Sequence, residues 1–258
     1  KTKEGLDKAI AFVSETVAAG GEILFVGTKR QAKQIVMDEA KKAGAPFMTE
    51  RWIGGFLTNW EGIHKNIQKI NRMSEEETSG AWKRFPKHEQ IKLSRYLSRL
   101  KVFYGGVLTL NKPPQAVFIV DIKKEISAVR EATRMNIPIL AVVDTNSDPT
   151  LVSYPIPSND DAVGAISILV GAVAGAYQTA HDIRVKEEEA RVAAKKKEAE
   201  KAQAQAEKAV PEQAKPEAVK PEVKKEVKKE EKKEEKAKKP AAKKTVKKED
   251  VSKKEAAV

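Results

Sequence analysis

Residues 116–143 read AVFIVDIKKEISAVREATRMNIPILAVV, and this stretch decides the fold. It opens and closes on two apolar runs, Ala116–Val120 and Ile139–Val143. A strand with one wet face alternates apolar and polar residues. A continuous short run instead suits a strand buried on both faces of a sheet. A helix is predicted between them, over Ile126–Met135. Strand, helix, strand at this spacing implies a right-handed crossover between parallel neighbours.

The same rhythm extends in both directions. Upstream, Leu6, Ala9, Ile10, Val13 and Val17 fall at helical spacing, and Gly20-Gly21 ends that helix. Ile23–Val26 is another buried strand, and Gly27-Thr28 turns the chain. Gln31–Lys42 reads as a helix with Ala32, Ile35, Val36 and Ala40 inward, closed by Gly44, and Phe47–Thr49 follows as a short strand. Downstream, Tyr154–Ile156 is an edge strand, since Pro155 cannot donate to a ladder. The expectation is a three-layer, doubly wound α/β domain over residues 1–184 with a parallel sheet.

One insertion, residues 60–104, interrupts the alternation. Ile63, Ile67, Ile70 and Met73 step at helical spacing, and Ile91, Leu93, Tyr96, Leu97 and Leu100 are read the same way. The polar stretch Ser74–Pro86 between them is expected to be a loop. Two amphipathic helices joined in this way form a protruding antiparallel hairpin. Its outer faces hold Lys65, Lys69, Arg72, Lys83, Arg84, Lys87, Lys92, Arg95, Arg99 and Lys101.

Ala162–Tyr177 is almost wholly apolar, with Gly171 and Gly175 spaced as G-x-x-x-G. It is short for a membrane span, which needs about 20 apolar residues. It is expected to be a helix packed on the sheet, with the two glycines permitting close approach. Residues 185–258 contain no Leu, Ile, Phe, Trp, Tyr or Gly. Ala and Val alone cannot bury enough surface to offset chain entropy. Residues 185–210 are expected to form a solvated helical extension, and 211–258 a disordered Lys/Glu/Ala/Pro tail.

Charge narrows the partners. The chain carries a net charge of +12, with a pI near 9.5. Residues 1–184 hold 25 Lys and Arg against 20 Asp and Glu, and the rest hold 24 against 17. Such a balance favours a polyanion, nucleic acid or an anionic membrane surface. With no cysteine, disulfides and thiolate metal sites are excluded, and a cytoplasmic setting fits. Lys1–Gly5 has none of the apolar core of a signal peptide.

No catalytic constellation emerges. Gly27-Thr28-Lys29 lacks the spacing of a P-loop, although Lys29, Arg30 and Lys33 at a helix start could hold a backbone phosphate. Asp144-Thr145-Asn146-Ser147-Asp148-Pro149 could offer Mg²⁺ two carboxylates, but it reads more simply as a polar turn. Asp160-Asp161 is expected to cap the apolar helix. His64, His88 and His181 stand apart, without metal-ligand or triad spacing. No cofactor, metal site or small-molecule substrate is expected.

Residues 51–60 read RWIGGFLTNW. Gly54 and Gly55 allow close backbone approach to something large. Arg51 and Asn59 bring polar groups beside them, and Trp52 either stacks on a base or packs beneath the hairpin. The segment Arg51–Asn59 closely resembles the R-W-x-G-G-x-L-T-N signature of the bacterial-type small-subunit ribosomal protein S-two family. Ile137–Pro149 and Ile156–Ala162 resemble it as well.

The resemblance implies a flavodoxin-like α/β domain with a protruding helical hairpin. It implies a structural component of the small ribosomal subunit without enzymatic activity. The partners implied are small-subunit rRNA near the junction of head and body, neighbouring ribosomal proteins, and ribosomal protein S-one, which engages messenger RNA. Family members carry an A-G-V-H-F-G-H-like segment ahead of the point where this sequence begins, so its contacts are not carried over. This chain also has Pro113-Pro114-Gln115 where the family often reads L-P-D, and its tail is not a general family feature.

The expected rRNA-binding residues are Lys29, Arg30, Lys33, Arg51, Trp52, Gly54, Gly55, Asn59, Lys65, Lys69, Arg72, Lys83, Arg84, Lys87, Arg95 and Arg99. Two rival readings are a nucleotide-binding α/β enzyme using the carboxyl edge of the sheet, and a membrane-surface protein using the tail. The missing glycine fingerprint argues against the first, and the tail's lack of an apolar face against the second.

Overall fold

The computed structural model describes residues 1–208, with side-chain surroundings described through residue 187. In chain order the elements are α1 (Thr2–Ala18), β1 (Ile23–Val26), α2 (Arg30–Ala43), β2 (Phe47–Met48), α3 (Trp60–Thr78), α4 (Lys87–Tyr104), β3 (Ala116–Val120), α5 (Ile126–Arg134), β4 (Ile139–Val143), β5 (Tyr154–Pro157) and α6 (Val163–Lys208). The expected disordered tail, 211–258, lies outside the described residues.

The five strands form one sheet in the order β2-β1-β3-β4-β5. Every pairing is parallel, with Phe25 opposite Phe118 and Ile119 opposite Ala141. Every residue of β1, β3 and β4 is buried, as the continuous apolar runs require. Successive side chains alternate between the two faces. Ile23, Phe25, Phe118, Val120, Leu140 and Val142 join a core with the inner sides of α1, α2 and α6. Leu24, Val26, Val117, Ile119, Ala141 and Val143 join a second core with α5 and both hairpin helices. Helices therefore cover both faces.

The hairpin does not hang free. Ile63, Ile67, Ile70 and Met73 of α3, with Leu97 and Tyr104 of α4, belong to the same apolar cluster as the sheet face. Gly106 lies where the arm returns to the sheet. An added Cβ there would fall 2.2 Å from the Phe47 carbonyl oxygen, so only glycine fits that approach.

Five local expectations need correction. The polar loop 74–86 is mostly structured. The helix continues to Thr78, and Ala81–Arg84 form a 3₁₀ turn that buries Trp82. The Trp82 indole N–H donates to Glu76 at 3.2 Å, so the acidic cluster supports the fold here. Ile91 and Tyr96 point outward, at 52% and 42% exposure. At about 100° per residue, Ile91 falls roughly 150° from the face shared by Leu93, Leu97 and Leu100.

The glycines of α6 do not serve packing. A Cβ on Gly175 would meet nothing within 4 Å, and one on Gly171 only Glu39 at 3.9 Å. By length and composition Val163–Glu187 could cross a bilayer, so the apolar stretch is not too short, as its 16 residues suggested. Its inner side, Ile166, Leu169, Val170, Val173 and Tyr177, is nevertheless buried against the sheet. Finally, Asp160-Asp161 do not cap α6. Asn159 Oδ1 accepts from the N–H groups of Asp161 and Ala162, at 2.8 and 3.2 Å, while both aspartates face Lys29.

Candidate nucleic-acid interface

The expected contacts fall on three surfaces: the carboxyl edge of the sheet, the loop 51–59, and the hairpin. They differ in chemistry. At the sheet edge, Gly27 follows β1, and an added Cβ would lie 2.8 Å from Val36 Cγ2. Its role is close packing of α2 on the sheet, not approach to a phosphate. Lys29 begins α2 and turns inward. Its Nζ lies 2.8 Å from Asp160, 2.5 Å from Asp161 and 3.4 Å from Asp121. Burial alone would lower the pKa of this ammonium. Hydrogen bonds to Asp160 and Asp161 and the charge of Asp121 outweigh burial and hold it well above the usual lysine range.

Lys29 is therefore an internal tie, which corrects its expected role as a phosphate ligand. Lys33 is also engaged, 2.6 Å from Glu50. Arg30 is exposed. The Thr28 hydroxyl donates to the buried Glu125 carboxylate. Burial pushes Glu125 up, and the Thr28 bond offsets part of that shift. The turn Asp144–Pro149 satisfies itself. Thr145 N–H donates to Asp144 at 2.7 Å, and Thr150 N–H to Asp148 at 2.9 Å.

The loop 51–59 is held by one carboxylate that no local pattern in the sequence marks. Glu131, on α5, accepts from the Trp52 indole N–H at 3.0 Å, from Gly55 N–H at 2.8 Å and from Leu57 N–H at 3.1 Å. Gly55 has φ +81°, the left-handed region that favours glycine. Trp52 is 7% exposed and packs edge-on against Phe56. Of the two alternatives, this packing favours the one beneath the hairpin: the ring sits in the core. Arg51, Gly54 and Asn59 remain exposed around the clamped loop, and a Cβ on Gly54 would meet open space.

The hairpin presents the free charge. Lys65, Lys69 and Arg72 fall within about 60° of one another on α3 and span about 10 Å. On α4, Ile91, Lys92, Arg95, Arg99, Val102 and Phe103 occupy one outward face, and all six are exposed. Lys83, Arg84 and Lys87 extend the positive surface around the turn and are exposed too. Lys69 links the two helices, with Nζ 3.3 Å from the Tyr96 hydroxyl and 5.1 Å from its ring centre. Arg72 is paired with Glu76 at 3.1 Å, and that bond, with the Trp82 hydrogen bond, holds the Glu76 carboxyl below its ordinary range. Among the described residues, Lys65, Lys83, Arg84, Lys87, Lys92, Arg95 and Arg99 make no ion pair.

The sequence profile described as "Ribosomal protein S2" matches residues 1–180. The chain belongs to the ribosomal protein S2 family. A small ribosomal subunit protein uS2 from Mycobacteroides abscessus is 44% identical over 171 residues, covering 66% of this chain and 62% of the relative. One from Mycolicibacterium vanbaalenii is 45% identical over 171 residues, covering 66% and 63%. A third, from Chlorobium phaeovibrioides, is 44% identical over 199 residues, covering 77% and 76%. The chain thus spans less than two thirds of the length of the first two relatives.

Within this family member, the first of the stretches that carried the resemblance, Arg51–Asn59, is the Glu131-clamped loop. Their first role is architectural. The loop leads from β2 to α3 and so sets where the arm leaves the sheet. Glu131 itself was missed. Its only signal was position: a carboxylate three residues after the buried Ala128 and next to the buried Ala132, where a charge needs partners.

Proposed function

We propose that this chain is a structural constituent of the small ribosomal subunit, carries no catalytic activity, and works in the cytoplasm as part of the ribosome. In this reading it is a flavodoxin-like domain whose hairpin, as a protruding arm, binds small-subunit rRNA. The observation that supports it is the exposed basic surface along α3, the connecting turn and α4, most of whose charges make no ion pair among the described residues. Lysine and arginine side chains there neutralise phosphates and release counterions. Exposed Tyr96 and Phe103 on the same arm add flat faces for unstacked bases. Arg51 and Asn59 contact backbone near the arm's root. The family resemblance further supports contacts with neighbouring ribosomal proteins and the recruitment of ribosomal protein S-one.

The nucleotide-enzyme alternative loses its main support at the sheet edge. The lysine that would meet a phosphate is committed to carboxylates, and those carboxylates repel anions. Sedimentation tests the proposal. The purified chain is expected to pellet with small subunits that lack their own copy, in moderate salt, and to leave large subunits unoccupied. A chain that stays in the supernatant with both particles would overturn it.

A further inference from the structure

Which form of RNA the arm accepts is written in the order of side chains along α4. Lys92, Tyr96, Arg99 and Phe103 stand at intervals of four, three and four residues. At about 100° per residue they fall within about 60° of one another and run for about 16 Å. Cation, ring, cation and ring thus alternate down one stripe. All four are exposed, Tyr96 at 42% and Phe103 at 39%. Lys92 and Arg99 make no ion pair among the described residues. The one carboxylate of α4, Glu89, lies in its first turn, ahead of the stripe.

The two rings do not serve the core. Leu93, Leu97, Leu100 and Tyr104 meet that need on the inner side of the same helix. Phe103 has no polar atom, so its exposure gains the isolated chain nothing. Tyr96 is held in place from α3, where Lys69 Nζ lies 3.3 Å from its hydroxyl and 5.1 Å from its ring centre. That contact steadies the ring while much of it stays open to solvent. Charge alone suffices to bind a duplex, whose bases are paired and stacked on one another and offer a protein ring no free face. A single strand offers phosphates to cations and splayed bases to rings together.

We propose that this stripe is a platform for single-stranded rRNA, with unstacked bases lying on Tyr96 and Phe103 and the phosphates beside them meeting Lys92 and Arg99. The arm therefore selects a loop, bulge or unpaired junction strand over continuous duplex. The proposal rests on the reading of the arm as an rRNA-binding surface and adds the form of RNA it takes. The rings stand two helical turns apart, about 10 Å along the axis, with Arg99 between them. Ile91 and Val102, exposed on the same helix, fall about 100° from the centre of the stripe and take no part.

The test is fluorescence anisotropy of the full chain with two probes: a short RNA designed not to pair, and the blunt duplex it forms with its complement. Small-subunit rRNA is titrated in the same moderate salt. Tyr96→Ala and Phe103→Ala are each expected to weaken binding of the unpaired probe about five-fold or more, with duplex binding kept within about two-fold. Tyr96→Phe and Phe103→Tyr keep the ring and are expected to retain what the alanine variants lose. Lys92→Ala/Arg99→Ala is expected to weaken both probes and flatten the salt dependence, whereas the ring variants keep the parental slope. Circular dichroism checks that each variant is folded. Parental binding of the unpaired probe by both alanine variants overturns the proposal, as does an equal loss for the two probes. Alanine variants that bind RNA as the parent does, yet fail to join the small subunit, would make the stripe a protein contact and overturn it too. If the ring variants keep parental affinity for small-subunit rRNA while Lys65→Ala/Lys69→Ala/Arg72→Ala loses it, the platform is rejected and the rRNA reading stands. A parent chain that ignores small-subunit rRNA would reject that reading itself, and the platform with it.

Discussion

The carboxyl edge of the sheet and the hairpin arm hold the same kinds of residue in opposite states. At the edge, Lys29 is drawn in and shared among Asp121, Asp160 and Asp161, and Lys33 is held by Glu50. On the arm, Lys65, Arg95 and Arg99 are exposed and without carboxylate partners among the described residues. The difference teaches that a basic sequence does not locate its own binding surface. α/β proteins often place ligands at the edge of a parallel sheet. Here that place is sealed to anions, and the free positive charge lies on the outer side of the insertion, whose inner side covers one face of the sheet.

The comparison can be broken most sharply at Lys29. Lys29→Met would leave Asp160 buried without its cation, a loss of about 3 kcal/mol in chemical unfolding. A variant as stable as the parent would mean that the edge is not held by charge pairing. Next comes the joint between the two regions. Glu131→Ala would strip the acceptor from the Trp52, Gly55 and Leu57 N–H groups together and cost about 2 kcal/mol. Because the loop sets the arm's departure, rRNA affinity should fall as well. Stability lost with affinity intact would separate loop from arm.

Smaller effects follow. Gly175→Ala sits in a helix with open space around the new methyl and should stabilise by about 0.5–1 kcal/mol. A destabilised variant would show that α6 is more closely covered than its surroundings indicate. Glu125→Gln tests the edge by pH. Burial raises the folded pKa of Glu125, so its contribution to stability is full below the ordinary carboxylate range and is lost as pH rises through the folded value. The variant should match the parent in acid and be slightly more stable at neutral pH. A gain that appears only in acid would reverse the sign.

Much of the sheet was legible because its residues state their burial directly. Ala116–Val120 and Ile139–Val143 have no polar residue to face water, so both faces had to be covered. The arm was legible from Ile63, Ile67 and Ile70, whose spacing admits only one helical face. What escaped the sequence was long-range pairing. Glu131 lies 76 residues beyond the Gly55 N–H that it accepts from, and Lys29 lies 131 residues before Asp160. Nothing local distinguishes a lysine destined for a carboxylate from one left for solvent. Trp52 was ambiguous for a related reason. An indole suits a base or a core equally, and only the position of Glu131 decides. Ile91 misleads because an apolar residue at a near-helical interval need not point inward.

The measurement that bears most directly on this contrast is the salt dependence of binding to small-subunit rRNA. It compares the parent chain with the arm variant Lys65→Ala/Lys69→Ala/Arg72→Ala and with the edge variant Lys29→Met. Removing three phosphate contacts should flatten the slope of log affinity against log salt by about two to three, while the edge variant keeps the parental slope. A parental slope in the arm variant, with a flattened one in Lys29→Met, would put the nucleic acid at the sheet edge and contradict the account.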